Sequence, residues 1–258
     1  MSALTHEKTY HYSAQGHGLS GHFVRPIERL IEVQAASSLP TIGGHGNSRV
    51  NNFRFQEFVS FSSAYSHVSG SLNNKDGAHT TLVTATIEGL NILDVVTADR
   101  IVARLSSQHP SPGDEPNVVF VRSKFENLQI AGCPVKVELN QDFVNRLDTF
   151  AAIRNELEKN SQFRKIADDN FQVGERQKIP DENGVLHCSL VKNIETDCPG
   201  VTRRGHCLIV PQFGKIFLAE VLAYKGTRTL TMVRLELGSP VSGSATVAEA
   251  NVNGRPWP

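Results

Sequence analysis

The 258-residue chain carries 26 basic and 26 acidic side chains and so has no formal net charge, which leaves no long-range field to draw it toward nucleic acid or an anionic membrane. Its length is enough to bury a sizeable core, as one large β domain or two smaller units. No window approaches the ~18 consecutive apolar residues that a membrane-spanning helix requires.

The first residues, MSALTHEKTYHYSAQGHG, hold no apolar stretch of signal-peptide type. The cytoplasm is therefore the expected compartment, with export by a non-classical route as the alternative. Thr9 to Ala14 reads as a strand. The next residues, Gly16-His17-Gly18-Leu19-Ser20-Gly21, spell G-x-G-x-x-G. A dinucleotide site needs a helix opening at those glycines and an acidic residue about 20 positions on. Pro26 falls inside that helix, and no Asp occurs between Thr5 and Asp76, so the reading is a glycine-rich turn or bulge with no bound cofactor. His6, His11, His17, His22 and His45 crowd the same region. His11, His17 and His22 are the weak metal candidates among them, but His11 and His17 share a strand parity that His22 does not. Hydrogen-bonded or surface imidazoles are expected, and no metal.

Farther along, Val83, Ala85 and Ile87 alternate with Thr84 and Thr86, the pattern of a half-buried strand. Ile87-Glu88-Gly89-Leu90-Asn91-Ile92 then recurs as Phe125-Glu126-Asn127-Leu128-Gln129-Ile130. The period of two sends Leu and Ile inward and Asn91 or Gln129 outward. Gly89 and Asn127 occupy the position that tolerates unusual backbone angles, as a bulge or turn would need. Two copies are too few for a solenoid. The repeat resembles those of repetitive β-rich bacterial proteins, without a motif that names a family. Two equivalent hairpins in a sandwich or barrel are expected, ahead of a β-helix.

Gln108 to Pro116 reads as a loop and Val135 to Leu139 as another alternating strand. From Asp142 the apolar spacing changes to Phe143, Leu147, Phe150 and Leu157, which predicts a helix of about 17 residues, Phe143 to Lys159, capped by Asp142. Asn160-Ser161 is a stop and a fresh cap for a short helix over Gln162 to Ala167, with Phe163 and Ile166 on one side. Asp168 to Gly184 is polar and turn-rich. Lys215 to Ala223, KIFLAEVLA, is apolar on both faces apart from Glu220, as in a strand covered on both sides or at the edge of a closed barrel. In another strand, Thr231, Val233, Leu235 and Leu237 face one way and Met232, Arg234 and Glu236 the other, before Gly238-Ser239-Pro240. The fold class is thus mainly β, a sandwich or barrel of repeated hairpins with one inserted helix. A single domain spans 1–258, with a helical insertion at 142–168 and an exposed loop at 168–184.

Four cysteines, Cys133, Cys188, Cys198 and Cys207, are too sparse for a disulfide scaffold, and buried free thiols are expected. His187-Cys188 and His206-Cys207 fall in two strands around a loop at Thr196 to Arg204. Each pair can offer only one ligand to a metal, because neighbours in a strand point to opposite faces. A cysteine–histidine dyad from His187 with Cys207, or His206 with Cys188, is the catalytic candidate, together with an acid–base pair from Glu88 and Glu126. No G-x-S-x-G elbow is present. The favoured function is a non-catalytic structural or interaction protein that self-assembles into a homo-oligomer, such as a filament or shell. Polar terminal segments, before Gly16 or after Gly238, would cross between subunits. The alternatives are a barrel or sandwich enzyme on a small or sugar-like substrate, and a carbohydrate- or small-ligand-binding module, for which Trp257 is the aromatic candidate.

Overall fold

A computed structural model of the chain describes residues 9–74, 77–110, 115–141, 145–169 and 184–257. Its first half forms β1 (Thr9–Arg25), β2 (Arg29–Gln34), β3 (Ser37–Ser38), β4 (Gly44–Phe55), β5 (Val59–Leu72), β6 (His79–Ile92) and β7 (Val96–His109). Five short strands follow: β8 (Asn117–Phe120), β9 (Lys124–Glu126), β10 (Gln129–Ile130), β11 (Cys133–Pro134) and β12 (Lys136–Leu139). After α1 (Phe150–Lys159) and α2 (Ser161–Asp169) come β13 (Leu186–Ser189), β14 (Val191–Glu195), β15 (Thr202–Arg204), β16 (Cys207–Val210), β17 (Gly214–Tyr224), β18 (Thr227–Leu237) and β19 (Ser242–Trp257).

Two large antiparallel sheets lie face to face. The first has the order β15-β16-β17-β18-β19-β1-β2, with β13 also on β17 and β3 on β1; the second runs β11-β10-β7-β6-β5-β4, with β8 and β9 on β7. A small third sheet pairs β12 with β14. Leu19, Phe23, Val233 and Val247 of the first sheet share one fully buried core with Val83, Ala85, Ile87 and Ile101 of the second. The G-x-G-x-x-G run sits inside β1 with no helix after it. A Cβ at Gly18 would come within 2.7 Å of the Ala64 Cβ, so glycine there sets how closely the two sheets approach.

The first and last described strands pair with each other. β1 pairs with β19 from Thr9↔Trp257 to Arg25↔Ser242, between β2 and β18 in mid-sheet. Over residues 9–25 and 242–257 the two terminal strands thus obtain backbone partners from each other, within one chain; residues 1–8, part of the segment expected to cross to a neighbour, lie outside the described residues.

The repeat has a specific meaning. β6 and the β9–β10 segment flank β7 on its two edges in the same register. Ile87 and Phe125 both lie opposite Ile101, Glu88 and Glu126 opposite Arg100, Asn91 and Gln129 opposite Thr97, and Ile92 and Ile130 opposite Val96. Leu90, Ile92, Leu128 and Ile130 are buried, and Gly89 and Asn127 both have positive φ, 61° and 49°. The copies are therefore not two hairpins but two parallel flanks of one central strand.

Simple alternation fails in two places. Thr84 and Thr86 are buried along with Val83, Ala85 and Ile87, because Arg104 of β7 lies over the second face and donates from Nε to Thr84 Oγ1 at 3.0 Å. Met232 is also fully buried in the core and does not share the outer face with Arg234. The inward rows shift phase here. Leu218, Val233, Val247 and Leu19 stand side by side in the core, whereas Glu220, Thr231, Glu249 and His17, two residues along, form a row of polar side chains. Ala219, Met232, Ala248 and Gly18 fall between these rows, and Ala219 and Ala248 take φ of 50° and 51°, the backbone signature of bulges.

The inserted helix is shorter than its apolar spacing suggests. It begins at Phe150, where Thr149 Oγ1 accepts from the Ala152 N–H at 3.1 Å. The Glu115 carboxylate accepts from the N–H groups of Phe150 and Ala151, an anion placed at the positive end of the helix. Asp142 and Phe143 lie outside the described residues. Asn160 is the stop and fresh cap, its Oδ1 accepting from the N–H groups of Gln162 and Phe163. Phe150, Ile153, Leu157 and Phe163 pack on Leu186 of β13 and Ala223 of β17, with Leu147 half-buried against them. Of the two expected loops, β7 runs on to His109, residues 111–114 lie outside the described set, and so do residues 170–183 of the second.

Candidate functional site

Among the described residues, a dense cluster of ionisable groups is built on one edge of β17. Two short strands share that edge: β13 pairs at Ser189↔Glu220 and His187↔Leu222, and β16 at Cys207↔Phe217. Glu220 lies where one partner gives way to the other. His206, in the turn before β16, accepts from the Leu218 N–H through its carbonyl at 3.1 Å, which holds its side chain beside the same carboxylate.

Glu220 is thereby surrounded. His187 Nε2 lies 3.2 Å and His206 Nε2 3.0 Å from its Oε1. Arg234 donates from Nε to Oε2 at 2.5 Å and from Nη2 to Oε1 at 3.0 Å. The same guanidinium donates to Glu236 at 2.6 Å and stacks 3.7 Å over the Phe217 ring, a cation–π contact. The side chains of His206 and Glu220 are 3% and 6% exposed, while that of His187 is 24% exposed and forms the open side of the cluster. Burial works to raise the pKa of Glu220, but the donors of His187, His206 and Arg234 outweigh it and hold the carboxyl far below its usual range. For His206 burial is the larger effect and lowers its pKa despite the neighbouring carboxylate. Near neutrality the centre is thus an ionised carboxylate with a neutral, buried imidazole at hand.

The structure brings together two of the residues singled out from sequence, His187 and His206, and leaves the cysteines out. The donor atoms within 4.8 Å of one another belong to His187, His206 and Glu220. Burial pushes the thiol of Cys188 up to about 12 and that of Cys207 up to about 11, so neither offers the thiolate that a dyad needs. Cys133 and Cys198 are joined in a disulfide with Cα atoms 5.5 Å apart, which corrects the expectation of four free thiols. It ties the β10–β11 turn to the loop between β14 and β15. Glu88 and Glu126 flank Arg100, with Glu88 Oε1 3.5 Å from its Nε. Both are part-exposed and on the outer side of their sheet, so they brace an arginine and do not form an interior acid–base pair.

His11, His17 and His22 are strung along β1 opposite Arg255, Glu249 and Ser244. His17 contacts Thr246 and Ser20, and His22 contacts Glu28; among the described residues the grouped metal-type donors are others, His187, His206 and Glu220. His6 and the Trp257 side chain lie outside the described residues. Sequence reasoning missed Glu220 and Arg234 as site residues. The one available signal was a lone carboxylate in the otherwise apolar KIFLAEVLA. It also missed the stack of Tyr10 on His79, with ring centroids 4.0 Å apart, and the 2.8 Å bond between Tyr12 Oη and His79 Nδ1.

The family model for a domain of unknown function, DUF8256, matches residues 10–178 and 152–224, and the chain belongs to that family. No curated protein and no solved structure matches it. No helix among the described residues is long and apolar enough to cross a membrane.

Proposed function

We propose that this DUF8256 chain is a non-catalytic β-sandwich module that acts by contact with further copies of itself, as a homo-oligomer. One observation carries the reading. Of the nine large apolar side chains that are exposed among the described residues, five fall between Val24 and Ile42: Val24, Ile27, Leu30, Val33 and Ile42. Leu30 is 70% and Ile42 89% exposed, in a chain otherwise able to bury its apolar groups. Exposed apolar residues concentrated in one segment mark an association surface more often than scattered ones do.

β2 lies within this segment and ends the first sheet. An end strand presents unpaired N–H and C=O groups, so β2 from a second copy can add across a two-fold axis and continue the sheet. β4, which ends the second sheet, is a poorer partner: Arg49 and Arg54 and the positive φ of Asn52 interrupt it, devices that discourage edge pairing. The competing enzymatic reading rests on the Glu220 cluster, whose carboxylate is largely enclosed by its own partners.

The test is sedimentation or light scattering on the intact chain and on Leu30→Lys/Val33→Lys. The intact chain is expected to be a dimer or larger and the variant a folded monomer. A monomeric intact chain at ~100 µM, well above the Kd range of specific assemblies, would sink the reading.

A further inference from the structure

We propose that His187, His206 and Glu220 bind one divalent transition-metal ion of the zinc type, with a fourth coordination position open on the side of His187. This does not rest on the assembly reading. Two imidazole nitrogens and one carboxylate oxygen are the donor types that zinc and its neighbours take. The three donor atoms lie within 4.8 Å of one another, and the two nitrogen-to-oxygen separations are 3.2 and 3.0 Å. A tetrahedral ion with bonds of about 2.0–2.1 Å sets neighbouring ligand atoms about 3.3 Å apart, so the two nitrogen-to-oxygen spacings lie within a few tenths of an ångström of that value, and the two nitrogens, within 4.8 Å of each other, would close to the same separation around the ion.

The hydrogen bonding around Glu220 points the same way. Oε1 is approached by His187 Nε2, His206 Nε2 and Arg234 Nη2, whereas Oε2 has Arg234 Nε. A carboxylate oxygen offers about two lone-pair sites, so three donors oversubscribe Oε1. An ion bonded to Oε1 and both imidazoles removes two of those donors and leaves Arg234 as the one remaining donor, through Nη2 to Oε1 and Nε to Oε2. The guanidinium thereby fixes the carboxylate's orientation, as outer partners of metal ligands commonly do. Its positive charge weakens the site, and Glu236, 2.6 Å away, offsets part of that.

The ligands come from β13, the turn before β16, and β17, so an ion would pin both short strands to the shared edge of β17. His187 is the most exposed of the three, and the remaining position faces solvent there. Three protein ligands and one open position are the arrangement in which the ion can take water or an external donor. The rival is a cluster held by hydrogen bonds alone, in which the imidazoles only donate to Glu220.

The experiment uses the full chain, stripped with a chelator and titrated with zinc alone by calorimetry, and with Co²⁺ alone by visible absorption. One equivalent of zinc is expected, with an intense Co²⁺ spectrum of tetrahedral type and a raised unfolding midpoint. His187→Ala and Glu220→Gln are each expected to weaken binding at least tenfold, while Cys188→Ser leaves it unchanged. His187→Gln, at the exposed edge of the cluster, serves where the other variants unfold, and circular dichroism checks each one. Absence of binding at ~1 mM metal establishes the hydrogen-bonded rival and overturns the proposal. So does stoichiometric binding that survives both His187→Gln and Glu220→Gln.

Discussion

Breaking the Cys133–Cys198 bond should cost this fold about 4 kcal/mol. The two cysteines are 65 residues apart in sequence, and closing a loop of that size removes about 14–15 cal/mol/K of entropy from the unfolded chain in the chain-entropy model, or about 4 kcal/mol at room temperature. That is a large share of the 5–15 kcal/mol that typically separates folded from unfolded protein. The Cα separation of 5.5 Å is within the ordinary range for a disulfide. The loop it closes contains both helices and the small β12–β14 sheet. Cys133→Ser is the cleaner variant, because Cys133 is part-exposed whereas Cys198 is buried. Urea unfolding should show a midpoint lowered by more than 1 M, taking a slope of ~3 kcal/mol/M for a chain of this size. Reductant should shift the wild type by the same amount and leave the variant where it is. Thiol counting on unreduced protein unfolded in denaturant, where the part-buried Cys188 and the buried Cys207 become accessible, should find two of the four cysteines free. Four free thiols, or a midpoint that moves by less than ~0.2 M, would refute the reasoning.

Gly89→Ala should destabilise by about 1–3 kcal/mol, since φ is 61° and a Cβ would lie 2.7 Å from Ser62 Oγ; Asn127→Gly, at the equivalent position with φ of 49°, should be neutral or stabilising, and thermal unfolding of the pair that reverses this order would show the equivalence to be wrong. Stability should fall on acidification below about pH 6.5. Burial lowers the pKa of His17, against the pull of Glu249, so the unfolded chain binds the proton first and the folded state loses ground as pH drops through the ordinary histidine value, with no such effect above it. His17→Asn should shrink the loss of stability between pH 7.5 and pH 5; an equal or larger loss in the variant would assign the effect elsewhere.

Local pattern was a good guide where the environment is one-sided. Val135 to Leu139 alternates as read, with Lys136 and Glu138 exposed, and the helical spacing of Phe150 and Leu157 does mark the buried face of α1. The helix starts later than that spacing implies, at Phe150, because its first N–H groups are taken by Thr149 and by Glu115, which comes from before β8 and which no local pattern points to. The site was half legible for a similar reason. His187 and His206 stand out by composition and by their neighbouring cysteines. What unites them is neither cysteine but a third strand, β17, that both their segments pair with. Nothing in the spacing of the two His-Cys pairs reports that shared edge.

The position of Glu220 follows from a deeper irregularity. Partners across a sheet share a face, so a bulge in one strand can persist only if its neighbours change phase at the same level. Both sheets do so, and in alternate strands the change is made by a residue of positive φ: Asn52, Gly89 and Asn127 in the second, Ala219 and Ala248 in the first. In the second sheet, glycine and asparagine announce the shift, which is why the repeat could be read as a bulge signal from sequence. In the first sheet the same backbone is imposed on alanine, at roughly 1–2 kcal/mol each, and alanine signals nothing. Strict alternation from Leu218 would turn Glu220 into the core; the bulge at Ala219 instead turns it toward His187, His206 and Arg234. The strain at Ala219 is therefore the local cost of having a carboxylate at that site at all.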